Sequence, residues 1–252
     1  MSTESGLPAS SSAVRSALRA ELARARERRG DRPVRVLDAG GGSGAWAVPM
    51  AVAGCQVTVV DTSPNALAAL RGRARDAGVE DRVTAVQGDV QALTDAVPAG
   101  GAELVLGHGL LEVVDDLAAT VRQLAEATAP GGAVSVLVSG RYGAALGQVH
   151  AGRLAQARAM LTDPAGRSGP TDALQRRLDL SALRGLLEYE GRLTVELVQG
   201  DGVFEGWPPA AVSDAESGGP DGLGELEELA AGIPELLVLA ARLHVLARAP
   251  GA

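Results

Sequence analysis

The residues best suited to chemistry lie in one short segment, Val34 to Gly44 (VRVLDAGGGSG). An apolar run ends there at Asp38, and four glycines follow it: Gly40, Gly41, Gly42 and Gly44. Glycine lets the backbone turn sharply and leaves no side chain between that backbone and a ligand. An amphipathic stretch runs from Ala45 to about Ala53. The order of strand, glycine turn and helix predicts a nucleotide-binding loop.

The carboxylate of Asp38 distinguishes between the cofactors that such a loop can hold. Gly40, Gly42 and Ala45 also satisfy the loose G-x-G-x-x-G/A pattern of loops that bind the pyrophosphate of NAD. The Asp38 carboxylate would lie close to that pyrophosphate and repel it. Two like charges about 4 Å apart, at an effective dielectric constant near 20, repel each other by about 4 kcal/mol. S-adenosylmethionine (SAM) has no phosphate and carries a sulfonium and an ammonium group. Asp38 therefore favours SAM over NAD.

A second carboxylate follows at the distance expected for a ribose contact. Residues 56–60 (QVTVV) predict a strand that ends at Asp61, roughly 20 residues beyond the loop, where an acid can hold both ribose hydroxyls. The alternative is that Asp61 only opens the turn over 61–64 and caps the next helix. We expect the ribose contact, with Thr62 beside it in the cofactor site.

These residues together resemble the class I SAM-dependent methyltransferases. Residues 38–44 are similar to the D-x-G-x-G-x-G motif of that family, and Asp61 resembles its ribose-binding acid. Gly88-Asp89-Val90 resembles the segment that holds the adenine. The resemblance implies that Asp89 accepts a hydrogen bond from the exocyclic amine and that Val90 packs on the ring. A loop cap and a core valine are the alternatives for these two residues.

Composition excludes several other kinds of chemistry. All 23 basic residues are arginine, so a lysine Schiff base, a lysine general base and a Tyr-x-x-x-Lys hydride relay are impossible. Cys55 is the single cysteine, which excludes an intrachain disulfide and a thiolate cluster. His108, His150 and His244 lie far apart in sequence and lack metal-ligand spacing. We therefore expect no metal.

Charge and hydropathy limit the expected partners and location. The net charge of −8 argues against broad contacts with nucleic acid, which require a basic face. The first 12 residues contain no apolar signal-peptide core, and no apolar run has the length of a bilayer span. We expect a cytoplasmic protein without membrane contact.

Periodicity along the chain predicts one methyltransferase domain over residues 1–252, a length suited to a single α/β core. An N-terminal helical segment occupies 1–30. The core is expected to alternate: strand 34–38, helix 44–53, strand 56–60, helix 64–77, strands 82–86 and 103–107, helix 116–127, and strand 133–139. Further elements are a helix-like stretch over 142–161, a helix over 178–189, and strands over 193–199 and 241–248. The pattern predicts a Rossmann-like, seven-stranded, mostly parallel α/β sheet with helices on both faces.

Residues after 139 are expected to serve the methyl acceptor. The stretch 140–178 is predicted to be a helical acceptor-side insertion, which together with 202–209 closes over the carboxyl ends of the strands. The stretch 209–224 is rich in Ser, Gly, Pro and Asp and is predicted to be a mobile loop.

A closer resemblance points to the carboxyl methyltransferases that complete 5-carboxymethoxyuridine at the tRNA wobble position. The similar stretches are 37–42 (LDAGGG), 108–113 (HGLLEV), 201–208 (DGVFEGWP) and 242–250 (RLHVLARAP). The resemblance implies a carboxylate of a modified tRNA uridine as the acceptor. That family's Tyr-Gly-Thr-Thr-Lys-like segment has no counterpart near the N-terminus, and its Gly-Arg-Tyr is replaced by Ala240-Ala241-Arg242. These departures favour a small-molecule acceptor over tRNA.

The acceptor's chemistry decides which side chains it needs, because methyl transfer is an in-line displacement that depends on positioning and desolvation. A carboxylate needs only a cation, for which Arg141 and Arg242 are candidates. A hydroxyl or amine needs a base, and His108 and His150 are candidates. His108 is also expected to border the cofactor, with ordering of its own loop as the alternative. His244, inside the last strand, is expected to be a core histidine.

The aromatic residues and one acid complete the candidates. Trp207 is a possible platform for a planar acceptor, with loop packing as its alternative. Trp46 is expected to pack beside the cofactor, and Glu112 and Tyr142 are weaker acceptor-side candidates. Two other functions remain open from the sequence: an NAD-type oxidoreductase, and a SAM-binding protein without catalysis.

Overall fold

A computed structural model describes residues 12–204 and 222–251 of the chain. The strands are β1 (Arg35–Ala39), β2 (Gln56–Asp61), β3 (Val83–Gln87), β4 (Ala102–His108), β5 (Thr128–Ser139), β6 (Thr194–Asp201) and β7 (Arg242–Arg248). The helices are α1 (Ser12–Arg29), α2 (Ala47–Val52), α3 (Pro64–Asp76), α4 (Leu117–Ala127), α5 (Arg141–His150), α6 (Leu154–Thr162), α7 (Leu180–Gly185) and α8 (Gly222–Ala230). Short helical turns occupy residues 80–82, 90–95, 186–190 and 234–239.

The seven strands form one sheet in the order β3-β2-β1-β4-β5-β7-β6. Neighbouring strands are parallel except at β7, which runs antiparallel to β5 and to β6. The order reverses between β1 and β4, and ligands of open α/β sheets bind beside such a point, at the carboxyl ends of the strands. The predicted seven-stranded, mostly parallel sheet is confirmed.

Apolar side chains cover both faces of the sheet, because successive residues of a strand point to opposite sides. On one face, Leu37 and Val105 belong to a buried cluster that includes residues of α4. On the other face, Val36 and Leu104 pack with residues of α1, α2 and α3. Asp38 lies two residues after Val36, so its side chain points to this second face.

Helix α1 is fastened to the sheet by ion pairs at the end opposite the ligand edge. Glu21 is 1% exposed and accepts hydrogen bonds of 2.6 and 2.8 Å from Arg248 of β7. Glu103 of β4 receives hydrogen bonds from Arg29 at 3.1 Å and from Arg35 at 2.7 Å. These contacts hold the N-terminal helix on the face that carries Asp38.

Strand β5 differs most from its predicted bounds of 133–139, since it begins at Thr128. Its register with β4 shifts between the pairs Ala102–Thr128 and Leu104–Ala133. A Cβ at Gly132 would lie 2.9 Å from the carbonyl oxygen of Glu103, so only glycine fits the close approach of the two strands there. The predicted start at residue 133 was wrong because Gly132 lies at an irregularity within β5 and does not precede the strand.

Two further predicted elements need correction. The single helix over 142–161 is two helices, α5 and α6, because Gly152 adopts a φ of 72° between them. The helix over 44–53 begins only at Ala47, after the glycine turn. The mobile loop predicted over 209–224 lies outside the described residues up to 221, and residues 222–224 begin α8. Among the described helices, none is both long enough and apolar enough to cross a bilayer.

Candidate active site

The glycine loop after β1 is shaped by two requirements that only glycine meets. Gly40, Gly42 and Gly44 have φ values of 69°, 55° and 79°, a backbone region that other residues rarely adopt. Gly41 meets the second requirement, since a Cβ there would lie 2.5 Å from the Cγ atom of Asp38. The loop therefore folds directly over the Asp38 carboxylate.

Asp38 is a buried acid whose hydrogen bonding is incomplete. Its side chain is 1% exposed, and its Oδ2 atom is buried without a hydrogen-bond partner in the structure. Burial, with a smaller contribution from Asp61, raises the pKa of Asp38 to about 7. A buried acceptor without a donor is rare in folded proteins and is explained when a ligand supplies the donor.

Asp61 holds the glycine loop against the next strand. Its Oδ2 atom accepts the backbone N–H of Gly42 at 2.9 Å, and its Oδ1 atom accepts that of Ser63 at 2.8 Å. Each carboxylate oxygen has a second lone pair that can accept a ribose hydroxyl. Helix α3 is capped by Ser63, whose side chain accepts the N–H of Ala66 at 3.2 Å. Asp61 therefore opens the turn over 61–64, as the alternative predicted, but Ser63 and not Asp61 caps the helix.

A cavity of about 370 Å³ opens at the carboxyl edge of β1, β2 and β4. This volume lies in the range of small-molecule sites. Five of the predicted cofactor residues line it: Gly40, Asp61, Thr62, Asp89 and Val90. The segment 109–115 after β4 forms the opposite wall, including Leu110, Val113 and Asp115. The structure thus brings together residues from four separate stretches of the sequence.

Four predicted cofactor residues are not among the residues that line this cavity: Asp38, Gly42, Gly44 and His108. A Cβ at Gly44 would be 2.2 Å from the Cδ1 atom of Leu70, so Gly44 allows α3 to pack against the loop. Asp89 is exposed and caps the turn over 90–95 by accepting the N–H of Gln91 at 2.9 Å. Val90 is 7% exposed within the core. Contact of Asp89 and Val90 with an adenine ring remains a prediction.

His108 ends β4, and the next two residues, Gly109 and Leu110, line the cavity. Its Nε2 atom is hydrogen bonded to the Ser135 hydroxyl at 2.8 Å, and its ring stands edge-on to Trp46 with centroids 4.9 Å apart. Its Nδ1 atom is buried and has no partner in the structure. Burial, followed by the proximity of His244, holds the pKa of His108 well below its usual value. The ring is therefore neutral near pH 7.

His244 is a core histidine, as its position in the last strand predicted. It is 0% exposed, and its two ring nitrogens are hydrogen bonded to Ser135 at 2.9 Å and to Gln199 at 3.0 Å. Burial lowers the pKa of His244 to about 4, against an opposing effect of Asp201. His150 lies exposed at the end of α5.

Both predicted acceptor cations have partners within the protein. The guanidinium of Arg141 donates to the carbonyls of four residues at the end of α6, at distances of 2.8 to 3.3 Å: Met160, Leu161, Asp163 and Pro164. Arg242 donates through Nε to Asp201 at 2.5 Å. Arg141 therefore supports the insertion, and contact of either arginine with an acceptor remains a prediction.

The structure supports Glu112 as an acceptor-side residue more strongly than the sequence does. Its Oε1 atom accepts the N–H of Ser139 at 2.6 Å, and its Oε2 atom is buried without a partner. Burial raises the pKa of Glu112. Tyr142 is 46% exposed on α5, and Trp207 lies outside the described residues.

Sequence reasoning did not identify Ser135 and Gln199, which contact the two buried histidines. Ser135 interrupts the apolar run of β5 (AVSVLV), and Gln199 lies near the end of β6. A lone polar side chain within a buried strand was the available signal, since such a group requires a hydrogen-bond partner. Within the residues that the structure covers, no cluster of His, Cys, Asp or Glu has the composition of a metal site.

Comparison with known proteins agrees with this geometry. Residues 11–188 match the family model described as a methyltransferase domain. A solved SAM-dependent methyltransferase from Methanosarcina mazei has a similar fold, with a TM-score of 0.59 at 13% identity. That similarity covers 90% of this chain and 97% of the other.

Two curated relatives are similar over shorter segments. The tRNA 5-carboxymethoxyuridine methyltransferase of Escherichia coli K12 is 31% identical over 123 residues, which is 49% of this chain and 47% of the relative. The ubiquinone biosynthesis O-methyltransferase of Bordetella bronchiseptica is 39% identical over 98 residues, which is 39% of each chain. The chain thus spans less than half the length of the curated relatives that it matches.

Proposed function

The chain belongs to the methyltransferase domain family, with the fold of the class I SAM-dependent methyltransferases, and we propose that it transfers the methyl group of SAM to a small-molecule acceptor. The acceptor atom is an oxygen or a nitrogen. The match to the methyltransferase domain family argues against the alternative hypothesis, an NAD-type oxidoreductase. The proposal includes SAM as the cofactor, no metal, and a cytoplasmic location.

The main support for this proposal is the buried Asp38 carboxylate beneath the glycine loop. Its Oδ2 atom lacks a donor, and although Asp38 itself lies beneath the loop, the cavity beside the loop is lined by the acids Asp61 and Asp89. A site walled by carboxylates opposes the phosphates of NAD and favours a ligand with ammonium and hydroxyl donors. SAM supplies an α-ammonium, two ribose hydroxyls and an adenine amine, which match these acids.

Each of the following residues has one role in the proposed methyl transfer. Asp38 holds the positive methionine end of SAM, Asp61 orients the ribose, and Asp89 with Val90 holds the adenine. The sulfonium methyl is then directed towards the acceptor beside β4, where His108 and Glu112 lie. Such positioning and exclusion of water account for most of the acceleration in a displacement that needs little covalent help.

The relatives suggest two classes of acceptor. One is named for a modified tRNA uridine and the other for O-methylation in ubiquinone biosynthesis. The net charge of −8 supports a small molecule over tRNA, because tRNA binding requires neutralisation of phosphates. We propose a small acid or phenol as the acceptor, with the tRNA carboxylate as the second candidate.

Titration calorimetry with S-adenosylhomocysteine (SAH) and with NAD tests the cofactor. We expect SAH to bind wild-type protein and to bind Asp38→Asn about 10- to 100-fold more weakly, since a hydrogen bond to a charged group contributes about 1.5–3 kcal/mol. Asp76→Asn, at an exposed position of α3, is the matched control and should bind as wild type does. Binding of NAD without binding of SAH would refute the proposal.

Release of SAH from SAM in the presence of candidate acceptors tests the reaction. The acceptors are benzoate, 3,4-dihydroxybenzoate, aniline and bulk tRNA carrying 5-carboxymethoxyuridine. Methylation of a small acceptor supports the proposal, and methylation of tRNA alone would transfer it to the second candidate. SAH binding without methylation of any of these would favour a SAM-binding protein without catalysis.

A further inference from the structure

A line of four hydrogen-bonded side chains crosses the sheet beneath the proposed acceptor site. It begins at His108 of β4 and continues through Ser135 of β5 and His244 of β7 to Gln199 of β6. The three contacts measure 2.8 Å for His108 Nε2 to Ser135 Oγ, 2.9 Å for Ser135 Oγ to His244 Nε2, and 3.0 Å for His244 Nδ1 to Gln199 Oε1. We call these four residues the polar chain.

The strand register explains why these distant residues meet. His108 pairs with Leu137, Leu137 pairs with His244, and His244 pairs with Gln199 across adjacent strands. His108, Leu137, His244 and Gln199 thus form one row across the sheet, and Ser135, two residues before Leu137, points to the same face and lies between the two imidazoles. Ser135 and His244 are both 0% exposed. Buried polar groups arranged in this way orient one another, because each must find its partner inside the chain.

The direction of the hydrogen bonds follows from Gln199. Its Oε1 atom can only accept, so His244 donates from Nδ1 and keeps a lone pair on Nε2. The Ser135 hydroxyl donates to that lone pair and in turn accepts the proton carried by Nε2 of His108. A neutral imidazole has one N–H, and so the Nδ1 atom of His108 bears a lone pair.

The opposite direction would be less favourable. It would require Gln199 to present its amide nitrogen to His244, and it would leave a buried N–H on Nδ1 of His108 without an acceptor. Buried N–H groups without partners are the rarer kind of unsatisfied polar group in proteins. Both rings are neutral near pH 7, since burial lowers the pKa of His108 and the pKa of His244.

The free nitrogen of His108 is buried at the carboxyl end of β4, beside residues that line the cavity. Gly109 and Leu110, the next two residues of the chain, line that cavity, and the Trp46 ring beyond the glycine loop packs edge-on against the imidazole. The end of the polar chain without a partner is therefore the end nearest the site. A ligand that donates a hydrogen bond at this position would complete the chain.

We propose that Ser135, His244 and Gln199 are positioning residues that hold His108 as the Nε2–H tautomer, with Nδ1 as the proton acceptor for the substrate that is methylated. This inference rests on the proposed function. When the acceptor is a hydroxyl, its oxygen forms a bond to the methyl carbon as the bond from carbon to sulfur breaks. The electron pair of that bond stays on sulfur and neutralises the sulfonium, and the hydroxyl proton moves to Nδ1 of His108. The proton passes to water as the product leaves.

Nitrogen NMR of the three imidazoles tests the tautomers directly, because the chain has only three histidines. In wild-type protein we expect His108 to be protonated at Nε2 and His244 at Nδ1. Ser135→Ala should abolish the preference of His108 and leave His244 protonated at Nδ1. Gln199→Leu should abolish both preferences. Gln156→Leu, at an exposed position of α6, is the matched control and should change neither.

Kinetics with 3,4-dihydroxybenzoate separate positioning from folding. We expect Gln199→Leu and Ser135→Ala to lower kcat about tenfold or more while the KM for SAM and the affinity for SAH stay at wild-type values. A wild-type His108 protonated at Nδ1, or unchanged tautomers in Gln199→Leu, would overturn the inference. Failure of every acceptor to be methylated would refute the proposed function, whereas the NMR result would still decide the tautomer.

Discussion

At the residue scale, burial of the Asp38 carboxylate lowers the stability of the folded chain and places a negative charge beside the proposed cofactor site. The carboxylate lies under Gly41 with one oxygen unsatisfied, and burial raises its pKa to about 7. An aspartate at the surface would not lower the stability of the fold, but water would screen its charge. The buried one binds a cation more strongly because few water dipoles compete with it.

The raised pKa of Asp38 predicts how stability depends on pH. The pKa is 3.8 in the unfolded chain and about 7 in the folded one, so the folded protein binds more protons between these values. This contribution to stability is complete below about pH 4 and is lost as the pH rises through about 7. Urea denaturation of ligand-free Asp38→Asn should lack that loss and show greater stability than wild type at pH 8, by up to about 4 kcal/mol.

The control for this pH dependence is Asp76→Asn, which removes an exposed carboxylate from α3. Its stability should follow that of wild type across the same pH range. Equal stability of Asp38→Asn and wild type at pH 8 would contradict the burial argument.

The close approach of Gly41 to Asp38 gives a second prediction at this scale. Gly41→Ala should weaken SAH binding at least tenfold, because its Cβ would fall 2.5 Å from the carboxylate carbon and displace either the loop or the acid. Calorimetry measures the loss. Gly72→Ala, in α3 with no atom within 4 Å of its Cβ, should bind SAH normally and gain about 0.5–1 kcal/mol of stability.

At the element scale, α1 is positioned by charge as well as by its apolar face. Val14, Leu18 and Leu22 are buried against the sheet, while Glu21 on the same helix is buried with Arg248 of β7. The helix also packs near Trp46 at the start of α2, where Leu18 and Leu22 line a small groove with that ring. Helix α1 thus supports the residues that follow the glycine loop.

Removal of the buried acid of α1 tests this role. Glu21→Gln should lower the free energy of unfolding by about 3–5 kcal/mol, because it leaves the largely buried guanidinium of Arg248 without its full partner. Urea denaturation at pH 7 measures the change. Glu27→Gln, exposed on the same helix, should change stability by less than about 0.5 kcal/mol. A similar loss in both variants would show that burial of the pair is not the cause.

At the scale of the whole molecule, the strand order places the site. The order β3-β2-β1-β4-β5-β7-β6 reverses beside β1, and this opens a crevice between the loops that follow β1 and β4. Asp38, Asp61, Asp89 and His108 lie at or just beyond the carboxyl ends of four different strands, and they reach the same edge because those strands are parallel.

Ligand binding should therefore stabilise the whole domain. At an SAH concentration about 100 times its dissociation constant, linkage predicts about 2.7 kcal/mol of stabilisation, or roughly 5–10 °C in Tm for a chain of this size. Thermal denaturation followed by circular dichroism measures the shift. Asp38→Asn at the same SAH concentration should shift much less, and NAD should produce no shift. A shift with NAD that equals the shift with SAH would contradict the assignment of the cofactor.

The sequence by itself determined the cofactor half of this protein. Strands such as β1 and β2 are apolar runs bounded by an acid and by glycine or turn residues, and these signals are local, so the α/β class and the proposed cofactor-binding roles of Asp38 and Asp61 could be predicted from neighbours in the chain. Only the tertiary structure decided the rest. The polar chain joins His108 to Ser135, His244 and Gln199 through strand register, and the partners of Arg141 and Arg242 come from other elements. Which side chains meet across a sheet depends on strand order and register, and no local pattern of residues encodes either.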